Sequence, residues 1–401
     1  MYVTVFSNMH FLFVRLMIFQ WSMATCYVAS QTADDVKNLT IKLFKTDEYS
    51  KIVRPLKDQS QSVKVFTELI LNTIIDFDER DENLKISCWL SISWHDECLK
   101  WEPEDYGGLT FLALPQNDTW RPDIRLHNSF RTFTGLGSSN VLLRVSYIGM
   151  VLWEPYQILE ATCEVDITYF PFDTQECPLK FSAWSYNNEE VEIIEGLKGI
   201  YLDEFEENSR WSMVDTTSDS ETNDGFVIFK MKMKRKSTFY VFYILIPIVL
   251  LSFLNVITFA LPLSSGERAS YAITVILSLA LFLTIVASEI PKNSDTIPVI
   301  SVYITAILAL STANVITSLL ESRMASRDKN KDPIAPGYMT LYRLARICQC
   351  KRNGKSHPEQ DIEWKDVVAV VDYFLFWLFF VLTFITTVVW FVIANRGGQS
   401  E

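Results

Sequence analysis

After Lys236 the sequence carries four apolar stretches, at 239–261, 269–290, 297–320 and 367–394, and no other feature narrows the possible folds as far. About 20 mostly apolar residues suffice for a helix to cross the hydrocarbon of a bilayer, so each stretch is a candidate span. The segment 321–366, between the third and fourth spans, holds nine Lys or Arg from Arg323 to Lys355. Basic loops stay in the cytosol, which puts both termini outside the cell. An apolar run from Phe11 to Phe19, ending in small residues at Val28-Ala29-Ser30, reads as a secretory signal over 1–30 and gives the same orientation. The expectation is a multi-pass plasma-membrane protein with a short extracellular tail at 395–401.

The second span is unlike an ordinary anchor. Ser270, Thr274, Ser278, Thr284 and Ser288 recur at helical spacing, and Leu277 and Leu281 fall on the same side. The face they make is narrow, polar at its ends and leucine-lined midway. Glu267 precedes it and Glu289 closes it. Hydroxyls in a membrane helix also serve packing between helices, so the stripe is a candidate pore lining that the rest of the chain must support.

The 401 residues exceed one ordinary domain, and the N-terminal half is patterned differently from the spans. Ala33 to Leu56 reads as an amphipathic helix with Val36, Leu39, Leu43 and Phe44 on one side, ended by Arg54-Pro55. From Val63 to about Met233, short alternating or aromatic-rich segments lie between turn clusters: Lys85–Trp94, Val141–Trp153, Pro178–Trp184 and Gly225–Met233. Many short strands with regular turns indicate a β-sandwich. The fold class expected is thus an α+β multidomain membrane protein. An extracellular β-sandwich with an N-terminal helix, over 31–238, precedes a four-helix transmembrane bundle.

Secretion implies an oxidising environment for Cys88, Cys98, Cys163 and Cys177. Asn38 and Asn117 open glycosylation sequons, as suits an extracellular domain. A net charge of -12 argues against nucleic acid as a partner. No phosphate-binding glycine loop, His/Cys metal cluster or nucleophile elbow is present, so neither an enzyme nor a cofactor is expected. In the linker, Tyr338 to Ile347 and the approach to Trp364 read as helical, and Cys348 and Cys350 as thiols in reducing cytosol.

The segment Cys163-EVDITYFPFDTQE-Cys177, with its aromatic-Pro-aromatic-Asp core, resembles the signature of the Cys-loop receptors, the pentameric ligand-gated ion channels. The resemblance runs from Leu43 to Val392. Trp101-Glu-Pro-Glu-Asp-Tyr-Gly-Gly108, Trp120-Arg-Pro-Asp123, Trp153-Glu-Pro155, Trp184-Ser-Tyr186 and the Gly-Glu-Arg before the second span are similar to nicotinic acetylcholine receptor subunits. It implies a Cys163–Cys177 disulfide, a candidate cis proline at Pro171, and a homo- or heteropentamer of like subunits in membrane lipid. It also implies a small, cationic ligand.

Five copies would set five Glu267 side chains at the cytosolic mouth, where a carboxylate ring favours cations. Ser270, Thr274 and Ser288 then make polar sections, and Leu277 and Leu281 apolar rings that close by dewetting. The lack of a Pro-Ala insertion before the helix also matches the cation-selective members. Strand-by-strand matching puts Glu79 and Arg235 at the membrane junction with Phe170, Pro171, Phe172 and Pro298, as a coupling path. An acid and an arginine buried there need one another.

For the ligand, Trp184 on one subunit face and Trp89 on the other match cage tryptophans that hold a cation over their rings. Trp153, Tyr186, His127 and Asp215 are further candidates. The departures are large: His127 stands where tyrosine is usual, and Trp211-SMVDTTSDSETNDG225 has no adjacent cysteines and no tyrosine. Asp215, Asp219, Glu221 and Asp224 make it acidic, and it reads as a solvated loop. The orthosteric site is therefore expected to be altered. An accessory subunit that supplies only the Trp89 face, or a non-conducting anchored binding protein, are the rival readings. Cys88 and Cys98 lie too far apart along one strand to pair unless the chain folds back after Asp96.

Overall fold

The computed structural model describes residues 31–400 apart from 132–134, 139, 222–224, 263–266, 291–295, 328–333, 335, 341 and 343–363. The expected signal segment, most of the linker expected in the cytosol with Cys348 and Cys350, and Asp224 lie outside the described residues.

Helix α1, Ala33–Ile41, starts at a capping box: Asp35 N–H donates to Thr32 Oγ1 at 3.3 Å and Thr32 N–H donates to Asp35 Oδ2 at 2.9 Å. It buries Leu39 and, through a wide final turn at Lys42–Thr46, Leu43. The helix does not continue to Leu56 as the sequence pattern suggests. Ile52 and Val53 have no apolar surface to cover, and Arg54 folds the chain into turns by donating to the carbonyls of Gln59, Gln61 and Glu190.

Among the described residues eleven strands follow: β1 Val63–Asp78, β2 Asn83–His95, β3 Phe111–Pro115, β4 Ile124–Leu126, β5 Leu142–Ser146, β6 Met150–Trp153, β7 Tyr156–Thr162, β8 Thr174–Ala183, β9 Val191–Tyr201, β10 Trp211–Glu221 and β11 Phe226–Arg235. They form two sheets. One runs β3-β5-β6-β2-β1-β9 with β7 also on β2, and the other runs β10-β11-β8-β4. Alternation decides which side chains meet between them: Leu69, Leu90, Trp94, Phe181 and Phe229 are fully buried there. The stretch 141–153 is a hairpin rather than one strand, because Tyr147 to Gly149 turn the chain, with Gly149 at φ 86. Residues 211–221 are a full strand and not a loop, since they pair with β11 from Trp211 to Glu221.

Among the described residues four long helices come next: α2 Thr238–Ala260, α3 Arg268–Glu289, α4 Val299–Ala325 and α5 Trp364–Ser400. All four are long and apolar enough to cross a membrane. Pro247 has no N–H to return to the preceding turn, and α2 absorbs this with a wide turn at Val241–Leu245. Helix α5 has 37 residues. At about 55 Å it exceeds a ~30 Å hydrocarbon layer, so its ends project. Its last turns are made of the residues expected as a tail. Aromatic contacts bind it to the bundle, Tyr303 stacking on Trp390 at 4.9 Å and Phe259 on Phe379 at 5.2 Å.

Candidate pore, coupling junction and ligand face

Helix α3 is poorly covered by its own bundle. Ala272, Val275, Leu279 and Val286 are buried, whereas Ser270, Thr274, Leu277, Leu281, Thr284 and Ser288 are exposed, Leu277 at 68% and Leu281 at 62%. Ser278 is half-buried and leaves the stripe. The hydroxyls direct their protons to their own helix: Thr274 Oγ1 donates to Ser270 O at 2.8 Å, Thr284 Oγ1 to Leu281 O at 2.6 Å and Ser288 Oγ to Ile285 O at 2.6 Å. What faces outward from these groups is oxygen lone pairs. Glu267, exposed, is the residue that caps the N-terminal end of α3.

At the other end of the bundle the sandwich meets the helices through Arg235, the last residue of β11. Its guanidinium is 3% exposed and donates from Nε to Asp173 Oδ1 at 2.8 Å, from Nη2 to Asp173 Oδ2 at 3.1 Å and from Nη1 to Glu79 Oε1 at 2.7 Å. It lies over the rings of Trp211 at 4.4 Å and Phe170 at 5.0 Å. Burial works against this charge, but Asp173 and then Glu79 outweigh it, so Arg235 holds its proton more tightly than a free arginine.

The Cys163–Cys177 disulfide is present, with Cα atoms 5.2 Å apart, and the Phe170–Pro171 bond is cis. Phe170 and Pro171 are buried, and Phe172 packs on the helix cluster with Ile244 and Ile290. Pro298, buried, caps α4, and the next residue, Val299, donates its N–H to Thr168 O at 2.9 Å. The expected coupling residues are thus brought together.

The expected ligand residues are spread over both sheets. Trp184 is 52% exposed at the end of β8, its N–H on Asp123 O at 3.2 Å. His127 is exposed beyond β4, with its ring 4.9 Å from Phe226 at the start of β11. Both flank the β10–β11 hairpin. Asp215 is exposed on β10, across from Lys232. Tyr186 is half-buried and its hydroxyl accepts from Trp120 Nε1 at 3.3 Å. Trp89 sits half-buried on β2 in the other sheet, across from Ile70 and Tyr156. Trp153 is turned into the sandwich, 2% exposed, with Nε1 donating to Gln116 Oε1 at 3.1 Å, which removes it from any surface site on this protomer. Cys88 is buried and Cys98 exposed, neither in a disulfide; burial pushes the Cys88 thiol up to about 12. Asn38 and Asn117 are both exposed.

Two groups are not evident from the sequence. Asp173 is legible there only as part of the Cys-loop motif, although an acid beside an apolar tip already asks for a cation. Arg268, Glu321 and Asp372 form a buried charge cluster among α3, α4 and α5. Its signal in the sequence is the lone acid Asp372 inside an apolar span, which is costly in a membrane unless it is used.

A sandwich built around a short disulfide loop, docked through that loop on four membrane helices of which one shows a polar stripe, defines a ligand-gated channel subunit. Comparison with known proteins agrees. The model of the neurotransmitter-gated ion-channel ligand binding domain matches residues 36–237, and that of the neurotransmitter-gated ion-channel transmembrane region matches residues 244–343. The chain belongs to the neurotransmitter-gated ion-channel family, in its nicotinic acetylcholine receptor-like branch, whose members are channels and not enzymes. It is 29% identical to the neuronal acetylcholine receptor subunit alpha-9 of Gallus gallus over 439 residues, covering 85% of this chain and 90% of that one. The alpha-9 subunit of Homo sapiens is 29% identical over 456 residues, with 90% and 94% covered. The non-alpha-2 subunit of Carassius auratus is 32% identical over 325 residues, with 79% and 70% covered.

Proposed function

We propose that this chain is a subunit of a pentameric, cation-selective channel in the plasma membrane, opened by a small ligand at an altered orthosteric site. The observation that carries this reading is the uncovered face of α3. Its two leucines, exposed at 68% and 62%, share that face with the exposed hydroxyls of Ser270, Thr274, Thr284 and Ser288, a mixture that suits a lumen better than lipid, and five-fold assembly supplies the lumen. Glu267 then stands as a ring at the cytosolic mouth, above it the hydroxyl rows present oxygen to a cation, and Leu277 with Leu281 forms the dewetting gate. The basic linker before α5 supports a cytosolic 321–366 segment and extracellular termini.

The ligand face supports recognition of a cation by fewer rings than the resemblance implies. Trp184 from one subunit and Trp89 from the next remain available, and no aromatic residue of β10 beyond Trp211, which is buried under Arg235, replaces the missing ones. At about 1 kcal/mol for each aromatic ring missing from an exposed cation–π cage, acetylcholine would bind weakly. The same deficit favours a second reading, an accessory subunit that lends Trp89 to a partner with a fuller cage.

Expressing the chain alone tests both. Single-particle images with five-fold symmetry and currents evoked by one of a panel of cationic ligands support the first reading. Assembly only on co-expression with a nicotinic partner supports the second, and sealed five-fold particles that carry no current under any ligand or in a gate-destabilised variant would count against a channel.

A further inference from the structure

Arg268 follows Glu267 directly, yet the two side chains have opposite surroundings. Glu267 is exposed and Arg268 is 3% exposed. The guanidinium Nη2 lies 2.7 Å from Glu321 Oε2 on α4 and 2.7 Å from Asp372 Oδ1 on α5, and its carbon is 5.1 Å from the centre of the Phe259 ring on α2. Four helices therefore converge on one positive charge at the cytosolic end of the bundle. Glu321 is itself 3% exposed.

Two carboxylates face one guanidinium. Even if the pair shared a proton, the remaining negative charge would cancel the arginine. Without them, a cation would stand one residue from the acidic ring, and in a pentamer five guanidiniums would oppose five carboxylates at a constriction that focuses the field. A buried guanidinium stripped of partners also has every reason to turn toward water. In a pentamer the lumen beside the exposed Glu267 offers that water.

We infer that Glu321 and Asp372 are specificity-determining positioning residues for conduction: they hold Arg268 away from the lumen and cancel its charge, so that Glu267 sets the potential at the mouth. Helix α5, remote from the pore axis, thereby takes part in ion selection. The inference rests on the reading of Glu267 as the selectivity ring.

The test compares three variants in channels opened by Leu277→Thr: Glu267→Gln, the pair Glu321→Gln with Asp372→Asn, and that pair combined with Arg268→Met. Two readouts are taken, the sodium-over-chloride permeability ratio from dilution potentials, and caesium density at the Glu267 ring in pentamers imaged in caesium chloride, which needs no opening. The pair should lower the ratio by about tenfold, the effect of one unscreened charge at close range, and weaken the caesium density. Adding Arg268→Met should restore both to within about twofold of the parent, since it removes the uncompensated charge that the pair releases. A merely structural role would leave the triple variant as impaired as the pair. Should the pair fail to assemble, Glu321→Gln alone carries the comparison, with a fall of about threefold expected from partial release.

Unchanged ratio and unchanged caesium density in the pair, or in the single variant, would overturn the inference while a Glu267→Gln effect leaves the selectivity ring standing. No effect of Glu267→Gln would instead overturn the ring itself.

Discussion

Arg235 and Asp173 form a bidentate ion pair, Nε to Oδ1 at 2.8 Å and Nη2 to Oδ2 at 3.1 Å, with both side chains almost wholly removed from water. It ties the last strand of the sandwich to the Cys loop where that loop touches the helices. Glu79 joins from the β1–β2 turn, but its side chain is 20% exposed against 2% for Asp173. The two acids are therefore unequal.

Asp173→Asn should strand a buried guanidinium and cost about 3–5 kcal/mol, seen as loss of assembled receptor on gel filtration after heating. Glu79→Gln should cost about 1 kcal/mol, because water shares in solvating that acid. Assembled Glu79→Gln receptors should still reach the surface and need more ligand to open. Equal loss in the two variants would show that burial does not rank them.

How far the junction is legible in the sequence differs by residue. Glu79 follows β1 and Arg235 ends β11, and strand-by-strand matching to the family is what singles them out. Asp173 is hard to single out because the Phe-Pro-Phe tip dominates its motif. The spans announce themselves by length and hydropathy, whereas the Arg268 cluster joins residues 53 positions apart or more, and nothing local in the chain pairs them. The sequence of β10 reads as a loop because Ser, Thr and Asp favour turns; its ladder to β11 overrides that preference. Resemblance alone places Trp153 at the ligand face, and strand register, which decides the side a tryptophan occupies, puts it in the core.

Leu277→Thr replaces an exposed apolar ring by a wettable one. Current without ligand is expected from patches bearing this variant, together with a lower ligand concentration for half-activation, by about tenfold. A silent variant with normal surface expression would argue against a dewetting gate at this level.

Asp96 gives the sandwich a defined response to pH. It is fully buried, which raises its carboxyl to about 6 against the bonds from Tyr49 Oη at 2.8 Å and Cys98 N–H at 2.8 Å. Below about pH 4 the group is protonated in folded and unfolded chains alike and its contribution to stability is complete. As pH rises the unfolded carboxyl ionises first, so this contribution, about 3 kcal/mol for a shift of about two units, is lost between about pH 4 and 6. Melting curves of the full receptor should show Asp96→Asn gaining on the parent across that window and holding a constant lead above it. A constant difference from pH 4 to 7 would refute the raised carboxyl.

Gly397, near the end of α5, lies against the Cys loop so closely that a Cβ there would meet Tyr169 Cε1 at 2.0 Å. A ring in a packed junction has little room to yield. Gly397→Val should destabilise the assembled receptor by about 1–3 kcal/mol, and Tyr169→Ala should relieve most of that cost in the double variant. Additive effects in thermal melting would mean that the two residues do not touch.

The central claim, that α3 lines a cation pathway with Glu267 as its filter, is most directly tested by one reversal potential. Currents through open channels of this chain are recorded with sodium chloride diluted about tenfold on one side, where ideal cation and anion selectivity give reversal near about +59 or -59 mV. The account predicts reversal close to the sodium limit for the native chain and a shift toward zero for Glu267→Gln. Reversal at the chloride limit, or a value that Glu267→Gln does not move, would contradict it.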